Sequence, residues 1–349
     1  MSALKVEKYR HSVMVGTGGI GSGKFFALDG NHALGREESR SGRFLDRHDY
    51  CKLHIISHYV KSLLGRDFVV YPVGRVGGDD IGARLLEEMQ EAGITMDYVE
   101  RVPGEQTMFS FCFVYPDGSG GNMTTDDSAC SHVEASDVAR AEKVFAQYKG
   151  DGIALAVPEV PMPARRKLLE LAVANDFFCV ASFISGEMEE AVSSRMLEMV
   201  DLLALNKDEA SALAGVSAEG KEGKELAEKA IAAISKKYPK MMVSVTAGPA
   251  GSWVWNGERI SYCSVVPVEV SSTAGAGDAY VSGIIAGLAA GLSLTQAQQL
   301  GTIVAAASVM SPHTINKNIT RTLLRDLASR AENVSPDVLR LLEDSDCNS

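Results

Sequence analysis

The sequence predicts an α/β protein of three layers, with helices on both faces of a mostly parallel central sheet. Apolar runs of strand length alternate with helix-length patterns over most of the 349 residues, and this alternation is typical of parallel sheets whose strands are joined by helices. The middle of the chain shows it best, with strand-like residues 153–157, 177–181 and 201–205 and helix-like residues 165–174 and 187–199. No internal repeat or low-complexity segment interrupts the pattern, so we expect one domain over residues 1–349.

The first half of the chain adds a small second sheet to this plan. Residues 11–15 are an apolar strand that leads into a glycine-rich loop, and residues 74–82 precede an amphipathic helix. Residues 108–115 alternate apolar and polar side chains before a turn at residues 116–118. This alternation predicts an antiparallel strand pair with one exposed face.

The second half of the chain begins with residues 222–236, which follow a polar turn at 215–217 and place their apolar side chains on one helical stripe. The remaining elements are a strand at 241–245, an apolar helix at 279–290, a second apolar helix at 297–310, and a helix followed by a polar tail from residue 320. Gly283, Gly287 and Gly291 make one side of the first apolar helix small. We therefore expect a neighbouring helix to pack closely against it.

Composition and charge exclude several function classes. The formal net charge is −11, and because an acidic surface repels nucleic acids and anionic membranes, we expect neither as a partner. The six cysteines have no paired spacing, so they predict neither a zinc site nor a disulfide framework and fit a reducing, cytoplasmic location. The first residues lack the pattern of a signal peptide, and no apolar run is long enough to span a bilayer.

Residues 272–278 carry the strongest indication of chemistry. A turn made of Gly275, Ala276 and Gly277 leads directly into an apolar helix. The first N–H groups of a helix have no partner within it and lie at the positive end of its dipole, so they predict an anion site. Asp278 places a carboxylate that can accept a proton beside these donors. The pair indicates phosphoryl transfer to a hydroxyl; the alternative is a tight turn with an acidic residue at the helix start and no chemistry.

Further polar residues follow apolar strands in the same half of the chain. They are Asn206 and Glu209 after the run 200–205, and Thr246, Gly248 and Gly251 after the run 241–245. With the glycine-rich residues 74–82, the order and spacing of these segments resemble the PfkB or ribokinase-like family of carbohydrate and nucleoside kinases. The resemblance covers about residues 70–312 and is strongest at residues 273–278.

The resemblance implies a ribokinase-like fold, ATP and Mg²⁺ as cofactors, and a small β lid formed within residues 17–50 and 105–127. In the family such a lid covers the sugar site and often pairs between subunits, which implies a homodimer. The implied roles are a catalytic base at Asp278, an anion hole at Gly275, Ala276 and Gly277, nucleotide contacts at Thr246, Gly248, Gly251 and Thr273, an adenine contact at His313, and magnesium held through water by Asn206 and Glu209.

The chain departs from the family pattern at the substrate end. The acidic residue that follows the first strand in the family and holds sugar hydroxyls has no counterpart in the loop 18–24. The family's Gly-Gly-x-x-x-Asn element falls at Cys51, Lys52 and Ile56 and lacks its sugar-binding residues. Ser272 replaces the first Asp of the signature, so the need for a monovalent cation stays open.

Substrate contacts are therefore expected from other residues. Gly18 and Gly19 let the backbone approach a substrate, and Gly77 and Asp79 lie in the matching glycine-rich segment. In an arginine-rich loop, Arg36 and Arg40 are candidates to clamp a carboxylate or phosphate, which gives the hypothesis of an acidic or phosphorylated sugar. The alternative is a solvated loop whose arginines pair with acidic neighbours.

Two other function classes stay open at this point. Gly16, Gly18 and Gly21 fit the dinucleotide fingerprint, which would indicate a nicotinamide-dependent oxidoreductase, and the same loop fits a P-loop except that Phe25 stands at its last position. A non-catalytic ligand-binding protein on the kinase fold would explain the missing sugar motifs. The preferred interpretation is ATP-dependent phosphorylation of a sugar-like hydroxyl.

Overall fold

The strands divide between two sheets, one large and one small. The computed structural model describes residues 3–117, 120–216 and 223–343. In these ranges the strands are β1 (Val13–Thr17), β2 (Gly21–Leu28), β3 (Gly42–Tyr50), β4 (Val69–Gly77), β5 (Tyr98–Val102), β6 (Met108–Val114), β7 (Gly120–Thr124), β8 (Gly152–Ala156), β9 (Phe178–Ala181), β10 (Leu202–Asn206), β11 (Met242–Thr246), β12 (Ser252–Trp255) and β13 (Ile260–Cys263).

The large sheet has nine strands in the order β13-β12-β11-β10-β9-β8-β1-β4-β5. All pairs from β11 to β5 are parallel, and β12 and β13 extend one edge as antiparallel strands. Parallel strands bring their carboxyl ends to one edge of a sheet, where ligands bind in α/β proteins. The loops after β1, β8, β9, β10 and β11 therefore meet on one side of the molecule.

Helices cover both faces of the large sheet. They are α1 (Lys52–Leu64), α2 (Asp80–Glu91), α3 (Ala135–Ala139), α4 (Glu142–Gln147), α5 (Met162–Ala174), α6 (Met188–Ser193), α7 (Lys207–Ala214), α8 (Gly223–Lys237), α9 (Ala276–Ala289), α10 (Leu294–Val309), α11 (Arg321–Arg330) and α12 (Pro336–Leu342). One buried cluster joins α1, α2 and α9 to α12 to the first face, and a second joins α3 to α8 to the other. On β1, Met14 packs into the first cluster while Val13 and Val15 pack into the second. The predicted three-layer arrangement is confirmed.

The small sheet, which we call the lid, has the strand order β3-β2-β6-β7 and falls inside the two predicted segments. β6 pairs with β7 in antiparallel fashion, as predicted for this part of the chain. β2 also pairs with β3 in antiparallel fashion, whereas the central pair β2 and β6 is parallel. Both central strands leave the same edge of the large sheet, β2 just after β1 and β6 after β5. Gly118, in the predicted turn after β6, lies outside the described residues.

The prediction of one helix over residues 187–199 is wrong. α6 ends at Ser193, and a 3₁₀ turn at Met196–Met199 follows it. Arg195, between them, has φ 63°, a left-handed conformation that interrupts a right-handed helix. Other predicted elements agree within a few residues, although Ser217, Glu222 and the tail 344–349 with Cys347 lie outside the described residues.

α9 and α10 pack closely through small residues, as predicted. A Cβ added at Gly283 would lie only 2.6 Å from Gly301 Cα, and one at Gly287 would lie 3.0 Å from Ala297 Cα. This contact fixes the long axis of α9, whose first turn carries Asp278. None of the helices in the described ranges has the length and apolar character needed to cross a membrane.

Candidate active site

The start of α9 is the centre of the candidate site. Gly275 is its N-cap with φ 76°, a left-handed conformation that favours glycine. The Ala276 amide donates to Thr273 O at 3.2 Å, whereas the amides of Gly277 and Asp278 have no acceptor within the described part of the chain. A Cβ at Gly277 would meet nothing within 4 Å, so this backbone borders open space. The helix start therefore presents N–H donors and a positive dipole end to a cavity.

A cavity of about 590 Å³ opens beside this helix start. Val266, Val268, Ala305 and Val309 form part of an apolar wall. The predicted site residues that line it are Thr246, Gly248, Gly251, Thr273, Gly275, Ala276, Gly277 and Asp278, together with Asn206 and Glu209. An apolar cavity of this size that ends in convergent polar groups suits a nucleotide, because the base needs apolar contacts and the phosphates need donors.

Asn206 and Glu209 form a capping box where β10 runs into α7. Asn206 Oδ1 accepts from the backbone N–H groups of Asp208 and Glu209 at 2.9 Å. Glu209 Oε2 accepts from the backbone N–H of Asn206 at 2.8 Å. Burial raises the pKa of the Glu209 carboxyl, and Lys52 opposes this. In the described ranges no group of three or more Asp, Glu, His or Cys side chains could hold a metal directly. Glu209 lines the cavity, and its other carboxylate oxygen is suitably placed to hold a Mg²⁺ ion through a water molecule.

Lys52, the first residue of α1, lies on the cavity and contacts Asp278. Its Nζ is 3.2 Å from Asp278 Oδ1. The charge of Asp278, followed by those of Glu159 and Glu209, raises the pKa of the Lys52 ammonium against the effect of burial. A fixed cation thus lies between the carboxylate of α9 and the acidic residues at the ends of β8 and β10.

Glu159 follows β8 and enters the space beside the first glycine loop. Its backbone has φ 79°, a strained conformation for a residue with a side chain. A Cβ at Gly19 would overlap the Glu159 carboxylate, and Glu159 Oε2 accepts from the Lys52 amide at 3.0 Å. Burial raises the pKa of Glu159 to about 7, partly offset by Lys52. Gly19 therefore makes room for this carboxylate.

The loop after β1 does not have the context of a dinucleotide site or a P-loop. Both motifs require a helix to begin at the last glycines, but Gly21 begins strand β2 of the lid. Gly18 is enclosed by Val157 and Leu53, so its backbone is not open to a pyrophosphate. The oxidoreductase interpretation loses its structural basis here.

Gly77 and Asp79 anchor the start of β6. Asp79 Oδ1 accepts from Gly82 N at 2.8 Å and from Thr107 Oγ1 at 2.7 Å, and Oδ2 accepts from Thr107 N at 2.7 Å. Thr107 Oγ1 in turn accepts from Gly77 N at 2.9 Å. Asp79 is therefore occupied as the N-cap of α2, and the substrate contact expected of it stays a prediction.

Arg36 and Arg40 lie in the loop between β2 and β3. Arg40 donates to Glu38 Oε1 at 2.7 Å and to His32 O at 2.7 Å, so its guanidinium is held within the loop. Arg36 is exposed. The hypothesis of an anion clamp therefore depends on Arg36 more than on Arg40.

His313 lies against strand β3 of the lid. It is absent from the cavity lining, and its Nδ1 accepts from the His48 amide at 3.0 Å, with the two rings 5.1 Å apart. The neighbouring Thr314 accepts from Tyr50 N at 3.1 Å, and its carbonyl would lie 2.9 Å from a Cβ at Gly275. The segment around His313 joins lid strand β3 to the start of α9, and the adenine contact expected of His313 stays a prediction.

Sequence reasoning missed Lys52 and Glu159 at the site, and Asp49 of the lid, whose charge acts on Glu159. Lys52 had one signal, since it stands where the family's sugar element falls. Glu159 had another, because a polar residue just beyond a buried strand lies at the ligand-binding edge of a parallel sheet. Asp49 comes close only because the lid folds over the site, which no local pattern shows.

Several known proteins are similar to this chain in sequence. The chain is similar to an uncharacterized sugar kinase, YegV, of Escherichia coli (strain K12), at 32% identity over 34% of this chain and 36% of that protein. It is also similar to a ribokinase of Haemophilus influenzae, at 24% identity over 67% of this chain and 73% of that protein. The match thus spans about a third of the first relative and nearly three quarters of the second.

Solved structures share the fold. A ribokinase from Cryptococcus neoformans var. grubii serotype A, in complex with ADP, superposes with a TM-score of 0.74 at 20% identity, over 90% of this chain and 99% of that one. An Arabidopsis thaliana ribokinase complexed with ribose and ATP gives a TM-score of 0.68 at 18% identity, over 91% and 99%.

The family match covers more of the chain than either of the two sequence relatives does. It extends over residues 58–321, more than half of the chain, and includes the second half of α1, the capping box and the start of α9. On this match the chain belongs to the pfkB family of carbohydrate kinases.

Proposed function

We propose that this carbohydrate kinase transfers the γ-phosphoryl group of ATP to a hydroxyl of a sugar or sugar-like acceptor, with Asp278 as the catalytic base. The observation that carries the proposal is the position of Asp278. It lies on the first turn of α9 at the polar end of the cavity, 3.2 Å from Lys52 Nζ. The ADP, ATP and ribose named for the ribokinase structures support this assignment of ligands.

In this proposal the start of α9 stabilises the charge on the transferring group. Phosphoryl transfer depends on positioning and on electrostatic stabilisation of the phosphate oxygens. The free amides of Gly277 and Asp278 supply donors, and Gly275 and Ala276 shape the turn that aims them. The Lys52 ammonium adds a positive charge next to the attacking hydroxyl and the phosphate. Asp278 accepts the hydroxyl proton as the oxygen attacks phosphorus.

The triphosphate would lie between the helix start and the loops after β10 and β11. Thr246, Gly248 and Gly251 border this part of the cavity, and Asn206 and Glu209 close it. Magnesium, when bound with the nucleotide, offsets the charge of the triphosphate. Glu209 would hold it through water, with Asn206 fixing the Glu209 carboxylate by the capping box.

The first prediction tests Asp278 as the base. Asp278→Asn should lower kcat by roughly 10²–10⁴-fold, because the amide cannot accept a proton. The assay is ADP release from MgATP over a panel of neutral sugars, sugar acids, phosphosugars and nucleosides. Because the amide has the same shape, binding of ATP measured by calorimetry should persist.

Asp337→Asn is the matched control, because Asp337 also lies on the first turn of a helix, α12, but not on the cavity. It should keep wild-type turnover. Turnover of Asp278→Asn close to that of the wild type would refute the assignment of the base. Silence of the wild type over the whole panel, with ATP still bound, would instead favour the non-catalytic binding protein.

A further inference from the structure

Asp49 is an acidic residue that the lid brings to the acceptor side of the candidate site. It is the next-to-last residue of β3 and is 9% exposed. It pairs across the sheet with Gly23 of β2, and Gly23 pairs in turn with Ser110 of β6. A Cβ at Gly23 would lie 2.6 Å from Asp49 Oδ2, so the glycine makes room for the carboxylate over the lid surface.

The pleat of the lid separates Asp49 from the outer aromatic face. Lys24 pairs with His48 and Phe111, one residue out of step with the row that holds Gly23 and Asp49. Because successive residues of a strand point to opposite faces, Asp49 and Phe111 lie on opposite faces of the lid. The charge of Asp278 acts on Asp49, and the charge of Asp49 acts on Glu159. Thr314 accepts from the backbone N–H of Tyr50, the residue after Asp49, and the Thr314 carbonyl would lie 2.9 Å from a Cβ at Gly275. The end of β3 that carries Asp49 therefore lies beside the start of α9.

The carboxylate of Asp49 retains capacity to accept hydrogen bonds. Cys112 Sγ donates to Oδ2 at 3.4 Å, and a thiol is a weak donor. Burial raises the pKa of Asp49 and Asp278 raises it further, against hydrogen bonds from Cys112, Tyr50 and Thr314. An ionised carboxylate can accept about four hydrogen bonds. A hydroxyl of a bound acceptor would supply a stronger donor than the thiol.

The charges around this point are mostly negative. Asp49, Glu159 and Asp278 lie within electrostatic range of one another. The Lys52 charge is engaged by Asp278, Glu159 and Glu209, and the Arg40 guanidinium is held by Glu38 within its own loop. A carboxylate or phosphate on the acceptor would therefore meet repulsion here.

From these contacts we propose that Asp49 binds a hydroxyl of the acceptor and makes the enzyme select acceptors without negative charge. The proposal rests on the kinase function proposed above and adds a specificity residue carried by the lid. It predicts a neutral sugar or polyol as the acceptor class. It contradicts the earlier hypothesis of an acidic or phosphorylated acceptor held by Arg36.

The test compares acceptors that differ only in charge. Steady-state ADP release is measured with neutral aldoses and ketoses, with their aldonic and uronic acids and with their phosphates, for the wild type and for Asp49→Asn. The wild type should turn over a neutral sugar best. Asp49→Asn should raise the KM for that sugar by roughly 10- to 100-fold, because a hydrogen bond to a charged group is lost, while the KM for ATP stays unchanged. It should also lower the discrimination against the matching acid by roughly tenfold.

Asp46→Asn is the matched control, since Asp46 lies exposed on the same strand, and it should change neither KM. If Asp49→Asn fails to fold by circular dichroism, Asp49→Glu keeps the charge but displaces it, and it should raise the acceptor KM while keeping the discrimination. An unchanged acceptor KM in the folded variant, or a wild type that prefers an acid or phosphate, overturns the proposal about Asp49 but leaves the kinase function standing. A wild type without turnover on any acceptor contradicts the kinase function itself, and this inference falls with it.

Discussion

At the scale of single residues, the candidate site is a set of charges that compensate one another only in part. Lys52 contacts Asp278 and also interacts electrostatically with Glu159 and Glu209, so one cation compensates the charges of three carboxylates. The compensation is incomplete at Glu159. Burial has a larger effect on this carboxyl than the charge of Lys52 has, and it raises the pKa of Glu159 to about 7. A carboxyl with a raised pKa binds its proton more strongly in the folded chain than in the unfolded chain.

Glu159 should therefore make stability depend on pH. Between the ordinary value of 4.5 and about 7 the folded chain binds more protons than the unfolded chain, so the free energy of unfolding falls as pH rises through this interval. The Glu159→Gln variant has no carboxyl at this position and does not lose stability in this way. The difference between its free energy of unfolding and that of the wild type should therefore increase from pH 5 to pH 8 by on the order of 1–3 kcal/mol. Urea denaturation of the ligand-free protein at several pH values measures the difference.

The control for this prediction is Glu258→Gln, because Glu258 is exposed in the turn before β13. Its stability difference from the wild type should stay constant with pH. A difference for Glu159→Gln that is flat or decreases with pH would mean that Glu159 is ionised in the folded chain at acidic pH.

At the scale of elements, the position of Asp278 depends on how α9 packs. The helix begins at the turn of Gly275 and is held along its length by α10. Gly283 and Gly301 are the point of closest approach, where no side chain fits between the helices. The loop after β9 is also held in place by a buried side chain. Arg165 donates to Ser182 O at 2.6 Å and to Glu187 Oε1 at 2.8 Å.

Gly283→Ala tests the helix contact. It should destabilise the fold by roughly 1–3 kcal/mol through overpacking, even though alanine favours a helix over glycine by about 1 kcal/mol. The midpoint of urea denaturation gives the change. Gly186→Ala is the comparison, since a Cβ there would meet nothing within 4 Å; equal stability of the two variants would show that α9 and α10 can separate without cost.

At the scale of the whole molecule, the outer face of the lid is apolar. Phe44 is 64% exposed and Met123 is 56% exposed. Phe26, Phe44 and Phe111 form one aromatic cluster, with the rings of Phe26 and Phe44 5.1 Å apart. Large exposed apolar patches often mark sites of association. The homodimer through the lid, predicted from the sequence, stays a prediction that this face supports.

Sedimentation equilibrium tests the dimer. We expect the wild type to sediment at twice the chain mass of 37.2 kDa and Phe44→Ser to sediment at the chain mass. Val173→Ser, at an exposed apolar position of α5, should leave the mass of the wild type unchanged. A wild type that is monomeric at all concentrations, or a dimer that survives Phe44→Ser, would exclude association through this face.

The sequence by itself determined the layers of the fold and the nucleotide end of the candidate site. Apolar runs define strands buried on both faces, and the Gly-Ala-Gly turn before Asp278 defines a helix start with free amides, because both depend on neighbouring residues in the chain. For the same reason Asn206 and Glu209 could be recognised as a pair, since a capping box spans only four residues.

The tertiary structure alone decided the acceptor end. Lys52, Glu159 and Asp49 lie on α1, after β8 and on the lid, and they meet only because the parallel strands end at one edge and the lid folds over it. Likewise the contact of His313 with His48, 265 residues away along the chain, leaves no signal in the sequence. Charge compensation between distant residues leaves no periodic or local signal, so the charges that we propose to select the acceptor depend on the fold.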